Sequence, residues 1–495
     1  MQRKIIRDYR FWAILICAGL FISLGIINLL KISIPTAKFG ALSCAFIYIA
    51  TALPFIVFFV FAALKLKKSR TLIIVAAMFV LSYIIRIWFA DFQSNDYIYF
   101  LSKWMAEYRS LGIKECFVQQ VGNYSPLYNY FLIAFSRMNI YELYLIKTLS
   151  FYFEALTVFF AVKIICFVRK ESFNFLWAAI FLLLPIPFTN SSQWAQCDTV
   201  YTMCVVAGIY FALKCNCIPA YIFIGLGLAF KMQTVLILPV GLVLLLAKNS
   251  DGKKYLLWRY IWIVPLVFFA ASSLPVFFGG SFFKVLSVYF NQTTEGNANQ
   301  PLNGRCANIL YPFSSIPDKS VAYYILLVLF IAITAVTDIF IIYRTLKKAG
   351  KALDVQTALL LCVLLPLNSV FFMPKMLDRF YYIAEIFLII YFATYRDKNS
   401  FTAYVLLETA QWLVYMRALR KLYALVVAPF FSLGALIIAY AIFFKKLPFE
   451  NTGKMKGLTS KLNSFATLIT ESPKEAVDET PSDVPDEPAT ENNEE

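Results

Sequence analysis

Long apolar segments, separated by shorter polar ones, make up most of this 495-residue chain. Most of them approach the roughly 17 to 25 residues that an α-helix needs to cross a bilayer. The pattern predicts an all-α polytopic membrane protein with about 12 to 14 transmembrane helices. The predicted segments are 11–30, 41–64, 71–90, 143–167, 173–189, 199–213, 218–230, 234–247, 257–276, 321–343, 356–372, 380–395, 401–416 and 422–444.

One stretch, 218–247, can be divided in two ways. It could form one long span or two short helices that meet at Lys231. A lysine at mid-bilayer depth is costly, which favours two helices.

The distribution of Lys and Arg predicts which loops lie on each side of the membrane. The first apolar segment is too long for a signal-peptide core and no small-residue cleavage site follows it, so we expect it to be retained, with a cytoplasmic N-terminus. Counted from there, the loops dense in Lys and Arg fall on the cytoplasmic side, as the positive-inside rule requires. Four polar segments then converge on the outer face: 91–142, 190–198, 277–320 and 373–379.

These boundaries divide the chain into a membrane domain and a tail. Residues 1–446 form the predicted transmembrane domain, with 91–142 and 277–320 as its two long extracytoplasmic loops. Residues 447–495 form a predicted cytoplasmic tail. From about residue 471 the tail holds ten acidic residues, one lysine and no aromatic residue, which predicts disorder. We expect the protein to lie in the cytoplasmic membrane, with both termini in the cytoplasm.

The amino-acid composition limits the class of protein and the reactions that the chain can catalyse. The chain is 60% hydrophobic, with a mean hydropathy of +0.69, which excludes a soluble domain. The formal net charge is +16, but most of the basic excess lies in short cytoplasmic loops beside anionic headgroups, so we expect no nucleic-acid partner. Without any histidine, acid–base chemistry falls to carboxylates, lysine or tyrosine. Cys116 and Cys306 share the outer face and could pair, although no spacing rule supports a disulfide.

The loop 91–142 carries the strongest chemical signal, because a polar loop of this length usually has a function. It begins with Asp91 and Asp96 at the end of the third apolar segment. Asp96 would stand near the N-terminus of an amphipathic helix lying on the membrane, where it either caps the helix or acts as a catalyst. That helix is predicted by the helical spacing of Tyr97, Phe100, Leu101, Trp104 and Met105.

A second acid, Asp198, follows a cluster of amide and hydroxyl side chains in the segment TNSSQWAQCD. It is either the start of a helix or a partner of Asp96 on the same face. The two carboxylates could share a divalent cation, and we expect no other cofactor.

Basic residues also reach this face. Arg379 enters an apolar segment, where it needs an anion, and that anion could be a substrate or a structural partner such as Asp378 or Glu385. Lys231 has the same two interpretations. The basic residues singled out here are Lys231, Arg305, Lys375 and Arg379.

Six short motifs follow one another through the membrane core: SNDYIYFLSKW, GNYSPLYNY, IKTLSFYFEA, QWAQCDTVYT, GLAFKMQTVLILP and MPKMLDRFYY. In order and spacing they resemble the GT-C glycosyltransferase superfamily. Within it, the chain is similar to bacterial integral-membrane mannosyltransferase-like proteins and to endoplasmic reticulum glucosyltransferases that use dolichyl-phosphate glucose. The resemblance runs from about Asp91 to Tyr382, which covers most of the membrane core.

The resemblance implies roles for individual residues. In that superfamily an acidic residue in the first large extracytoplasmic loop is the catalytic base, and the matching residue here is Asp96, with Asp91 as the nearby substitute. The remaining matches are Tyr124, Ser125, Pro126 and Leu127 for an aromatic-proline segment, Gln196 and Asp198 for a Q-x-D element, and Phe230, Lys231 and Gln233 for an F-K-x-Q element.

One motif departs from the superfamily pattern. Related proteins usually carry a His-Glu-Arg-Tyr-like sequence where this chain has Leu377, Asp378, Arg379 and Phe380. The histidine that would help to bind the donor phosphate is therefore missing. We expect Lys375 and Arg379 to take its place.

The implied reaction moves a hexose, mannose or glucose, from a polyprenyl-phosphate donor to a cell-envelope glycan, lipid or protein acceptor on the outer face. It needs a carboxylate that takes the acceptor's proton and cations that stabilise the departing phosphate, and direct attack with one base predicts inversion. The expected phosphate ligands are Lys231, Arg305, Lys375 and Arg379. The expected substrate cavity includes Tyr97, Trp104, Tyr124, Gln196 and Gln233.

Two alternative functions share these features. A lipid-linked sugar flippase or transporter would place its charges at mid-bilayer on broken helices and often shows internal repeats, of which the sequence has none that we detect. A polysaccharide polymerase would use a lipid-diphosphate oligosaccharide as its donor.

Overall fold

The computed structural model describes residues 9–30, 34–294, 301–349, 352–422, 425–448 and 456–471. In these ranges the chain is helical, and the only β-type pairings are two isolated bridges, between Lys248 and Lys254 and between Arg305 and Leu377. The expected all-α polytopic fold is confirmed.

The first half of the chain contributes ten α-helices within the described ranges. They are α1 (Tyr9–Leu29), α2 (Ala41–Lys65), α3 (Ser69–Trp88), α4 (Ser102–Ser110), α5 (Ile113–Val118), α6 (Pro126–Ser136), α7 (Glu142–Arg169), α8 (Phe175–Leu182), α9 (Pro185–Phe188) and α10 (Asp198–Leu213). Two π-helical turns, Tyr97–Leu101 and Thr189–Gln193, precede α4 and follow α9.

The second half contributes eleven more in those ranges. They are α11 (Cys217–Phe230), α12 (Leu238–Leu246), α13 (Ile263–Ser272), α14 (Leu274–Phe277), α15 (Phe282–Thr294), α16 (Val321–Ala349), α17 (Val355–Phe372), α18 (Tyr382–Tyr395), α19 (Lys398–Arg420), α20 (Ala428–Lys446) and α21 (Lys456–Thr470). A 3₁₀ helix, Met232–Ile237, joins α11 to α12.

Helix occupies every predicted apolar segment, but not all of these helices are long. Seven of the described helices are long and apolar enough to cross a membrane, or eight if α8 and the bent continuation at 185–193 count as one span. The bend is 57° and falls between Leu182 and Pro185. Proline interrupts the helix here because it has no backbone N–H to donate and its ring clashes with the preceding turn. Five shorter apolar helices and α19 account for the other predicted segments.

The centre of the bundle is formed by α17 and α18. About 83% of the apolar window of α17 is buried, compared with 11% for α1 and 17% for α16, which lie at the periphery. Because α17 is apolar on all sides, it is suited to a position surrounded by other helices.

The loop 91–142 is helical, as expected, but its apolar face packs against protein. Tyr97, Leu101, Met105 and Tyr108 are nearly fully buried at helical spacing and pack with residues of α6 and α7. The neighbouring Phe100 is half exposed. The face that the sequence pattern assigned to the membrane surface therefore packs against the protein instead.

Two further expectations concern cysteines and the tail. All ten cysteines lie in the described ranges and are free thiols, so Cys116 and Cys306 do not pair. The tail contains α21, which packs against α20 and which the sequence analysis missed. The predicted disorder from about 471 falls on residues that, from 472 onward, lie outside the described part of the chain.

Candidate functional site

A cavity of about 610 Å³ opens where the polar loops meet the ends of several helices. Its walls come from parts of the chain that are far apart in sequence: 95–104, 123–125, 194–197, 230–233, 305, 377–380 and 417–421. All four polar segments predicted to share one face contribute to it. This volume is typical of pockets that bind small ligands.

Asp96 lies on the wall of this cavity, and one of its carboxylate oxygens accepts two hydrogen bonds and faces a guanidinium. Oδ2 accepts hydrogen bonds from Trp194 Nε1, at 3.1 Å, and from Gln196 Nε2, and it lies 3.8 Å from Arg379 Nη1. Among the described residues, none forms a hydrogen bond or ion pair with Oδ1, and the side chain is 31% exposed. The carboxylate is thus fixed in orientation with one oxygen open to the cavity.

The interpretation of Asp96 as a helix cap is wrong. Its side chain makes no capping bond. Ser94 caps this helix instead, because its Oγ accepts a hydrogen bond from the Tyr97 backbone N–H at 3.2 Å. Ser94 Oγ also donates to the Trp194 carbonyl at 2.9 Å, which ties the two loops together.

Asp198 is fully buried at the first turn of α10 and joins three partners. Lys231 Nζ donates to Oδ1 at 2.5 Å, Asn190 Nδ2 donates to Oδ2 at 3.0 Å, and Arg379 Nε lies 3.4 Å from Oδ2. It is therefore both a helix start and a member of a polar cluster, which consists of Asp96, Asp198, Lys231, Asp378 and Arg379. Its two cations balance a charge that would be very costly to bury alone.

The position of Lys231 follows from the break between α11 and the 3₁₀ helix that follows. At this break the backbone of Lys231 is extended, and Nζ lies 5.4 Å from the centre of the Tyr201 ring. Two helices meeting at Lys231, as predicted, place the ammonium in the cavity wall beside Asp198 rather than against lipid.

We expect Lys231→Met to lower the free energy of unfolding by about 1.5–3 kcal/mol, because it removes a charged hydrogen bond to the buried Asp198 carboxylate and leaves Arg379 as its remaining cation among the described residues. Thermal unfolding of the purified protein in detergent would measure this. Lys231→Arg, which keeps the charge, should lose much less stability. Equal losses in the two variants would contradict a structural role for the ion pair.

Arg379 stands between the acids. Besides Asp96 and Asp198, it contacts Asp378, whose Oδ1 lies 3.2 Å from Nη1, and its guanidinium lies 5.7 Å from the centre of the Trp194 ring. Of the two structural partners considered for Arg379, Asp378 is the correct one. Glu385 lies against Glu408 instead.

Asp378 belongs to the loop between α17 and α18 and has a perturbed pKa. Burial raises the pKa of this carboxyl to about 6, while Arg379 lowers it and the neighbouring Asp96 and Asp198 raise it. The net charge of the cluster therefore changes just below neutral pH.

Arg305 is held beside the Arg379 loop by backbone pairing. Lys375 N donates to Leu302 O at 2.7 Å, and Arg305 forms a bridge with Leu377. Gly304 makes this approach possible, because its φ is +56° and a Cβ there would lie 2.1 Å from Met376 O.

Aromatic residues form another wall. Trp104 and Tyr124 meet edge to face, with ring centroids 5.1 Å apart. Gly122, at φ +71°, lies against the Trp104 indole, and a Cβ there would lie 2.3 Å from Cε2. Gln233 completes the lining with a buried amide oxygen that accepts no hydrogen bond from the described residues.

Three predicted site residues lie elsewhere. Asp91 accepts a hydrogen bond from the Tyr144 hydroxyl, Lys375 lies over the Tyr323 ring at 5.6 Å, and Tyr97 is buried and donates to Glu142 at 3.0 Å. None of the three lines the cavity. Gln196 acts from behind Asp96 rather than from the cavity surface.

The chain matches the model of glycosyltransferase family 87 over residues 123–369, about half of its length. The chain belongs to glycosyltransferase family 87. This match confirms the resemblance to membrane glycosyltransferases of the GT-C type. No curated protein matches the chain. The matched region includes Tyr124, Asp198, Lys231 and Arg305, whereas Asp96 lies before it.

Sequence reasoning missed two cations of this family 87 protein. Arg417, in the last turn of α19, and Lys421, just after it, line the cavity. The predicted topology places the segment RALRK, 417–421, on the outer face, where basic clusters are disfavoured. That violation of the positive-inside rule was the signal that could have found them.

The residues do not suit the divalent cation considered for Asp96 and Asp198. The guanidinium of Arg379 lies between their carboxylates, at 3.8 Å and 3.4 Å. Among the described residues, no group of three or more His, Cys, Asp or Glu side chains could hold a metal ion. The positive charge between the two acids is supplied by the protein.

Proposed function

We propose that this family 87 glycosyltransferase moves a hexose, mannose or glucose, from a polyprenyl-phosphate donor to a cell-envelope glycan, lipid or protein acceptor. The reaction would take place on the outer face of the cytoplasmic membrane and invert the anomeric carbon. One observation carries the proposal: Asp96, with one carboxylate oxygen that accepts no hydrogen bond from the described residues, lines the same cavity as three cations that have no described carboxylate within salt-bridge distance.

Asp96 would act as the general base. Trp194 and Gln196 hold Oδ2, so Oδ1 can accept the proton of an acceptor hydroxyl as that hydroxyl attacks the anomeric carbon. A single base on one side of the sugar and a leaving phosphate on the other is the arrangement for inversion.

Arg305, Arg417 and Lys421 would bind the donor phosphate. No carboxylate of the described residues lies within salt-bridge distance of any of them. Lys231 and Arg379, by contrast, already pair with acids. Cations that carry uncompensated charge are the better ligands for a phosphate whose negative charge grows as it departs.

Arg379 would connect the two parts of the site. It touches Asp96 and Asp198 and lines the cavity, so it can orient the base while facing the phosphate. Lys375, considered earlier for the phosphate, is replaced in this proposal by Arg417 and Lys421.

The central experiment supplies purified protein with labelled polyprenyl-phosphate mannose or glucose and, separately, with labelled lipid-diphosphate oligosaccharides. Release of polyprenyl phosphate with transfer of one sugar from the first donor supports the proposal. Chain extension from the second donor alone would identify a polymerase. Movement of intact lipid-linked sugar across a vesicle membrane, without any bond cleavage, would identify a flippase.

The pKa of Asp378 predicts a pH dependence of donor binding. As the pH falls through about 6, Asp378 gains a proton and the cluster becomes more positive, so the KM for the anionic donor should fall. The donor phosphodiester stays ionised throughout this range and does not contribute.

Initial rates measured from about pH 5 to about pH 8 would check this expectation. Asp378→Asn, which mimics the neutral acid, should keep a low donor KM across the range and remove the transition near pH 6. A transition of the same size in the variant would assign it to another group.

A further inference from the structure

A second cavity, of about 520 Å³, lies between α2 and α7 and shares no lining residue with the candidate site. Its walls are almost entirely apolar and include Val57, Phe58, Phe61, Leu156 and Phe159. Phe61 is 55% exposed and Leu156 is 45% exposed, so the cavity is a groove that opens to the side of the helix bundle.

Two lysines stand at one end of this groove. Lys65 is the last residue of α2, and Lys163 lies two turns before the end of α7 at Arg169. The nearby acid Glu171 pairs with Arg169 at 3.4 Å. Neither lysine has a carboxylate within salt-bridge distance in the part of the chain that the structure describes. The groove thus ends in two lysines that no carboxylate of the described residues neutralises.

This end of the groove is remote from the candidate site. α7 begins at Glu142, which accepts the hydrogen bond of Tyr97 in the first long loop, and runs away from that loop toward Arg169. By the distribution of Lys and Arg, the lysine end faces the cytoplasm. Two cations beside an apolar groove at that membrane surface are complementary to a phosphate with an acyl chain attached.

We propose that this groove binds one anionic phospholipid, with an acyl chain between α2 and α7 and the phosphate at Lys65 and Lys163. A zwitterionic lipid is a poorer occupant because its ammonium group would offset the attraction between phosphate and lysines. The site does not depend on the transfer reaction, since it uses none of the residues that line the other cavity.

The test places purified full-length protein in nanodiscs of phosphatidylcholine with a small fraction of phosphatidylglycerol and counts tightly bound lipids by native mass spectrometry. We expect one retained phosphatidylglycerol per chain. The double variant Lys65→Gln/Lys163→Gln should lower its retention at least about tenfold, because each lysine near a membrane surface attracts an anionic headgroup. Leu156→Trp, which fills the groove without a change of charge, should also release the lipid.

A matched control removes two charges beside the groove. Lys67 and Lys68 are exposed in the same cytoplasmic loop but do not line the cavity. Lys67→Gln/Lys68→Gln should retain phosphatidylglycerol as the unchanged protein does. Equal retention of phosphatidylcholine and phosphatidylglycerol by the unchanged protein would overturn the proposal, as would equal losses in the two double variants.

Discussion

Replacing Asp96 with Asn is expected to lower the rate of sugar transfer by about 10²- to 10⁴-fold, the usual contribution of a general base. The amide keeps nearly the same shape, so the contacts with Trp194 and Gln196 can be largely retained, but it cannot take a proton from the acceptor. Initial rates with labelled polyprenyl-phosphate sugar would measure kcat. Size-exclusion and thermal-unfolding profiles would verify that the protein is folded.

Asp91→Asn is the matched control. Asp91 opens the same loop and loses the same charge, but its carboxylate contacts the Tyr144 hydroxyl away from the cavity. We expect its transfer rate to stay close to that of the unchanged protein. A large loss in Asp91→Asn with near-normal activity in Asp96→Asn would exchange the roles of the two acids.

The double variant Arg417→Gln/Lys421→Gln is expected to raise the KM for the donor by about 10- to 100-fold. A hydrogen bond to a charged group contributes about 1.5–3 kcal/mol, and 1.4 kcal/mol corresponds to a factor of ten. Both side chains line the cavity without an acidic partner among the described residues, so their loss removes charge from the phosphate rather than a structural ion pair. Donor titrations at saturating acceptor would measure the effect.

Lys398 provides the control for this variant. It is exposed at the first turn of α19, at the opposite end of the helix that ends next to Lys421. Lys398→Gln should leave the donor KM unchanged. If Lys398→Gln and the double variant shift the donor KM equally, the shift reflects the net charge of the protein, and the donor phosphate binds elsewhere.

The all-helical membrane fold was predictable from the sequence because few backbone conformations are stable in lipid. Backbone groups in a bilayer must be satisfied within the segment, so an apolar run of sufficient length forms a helix. Helix indeed occupies each predicted segment. The length of each helix was less predictable, since the turn at Pro185 and the break at Lys231 divide apolar runs into pieces too short to span.

The candidate site was predictable only in part. Charge and topology placed the polar loops on one face, and the cavity draws on all of them. The hydrophobic and charge pattern could not predict which side chains of those loops meet. Asp91 and Asp96 look alike in sequence, yet only the second reaches the cavity, because Ser94 caps the helix and leaves the Asp96 carboxylate for Trp194 and Gln196.

By itself, then, the sequence of this protein determined an all-helical membrane domain, the face on which its polar loops gather and the acids and bases available there. Tertiary structure decided which charges are compensated. The charge of Asp198 is compensated by Lys231 and Arg379 in the wall. Arg417 and Lys421 come from a helix end more than 300 residues after Asp96, and no carboxylate of the described residues lies within salt-bridge distance of them. The physical reason is that apolar periodicity depends on neighbouring residues, while ion pairing depends on distances that only the packed helices fix.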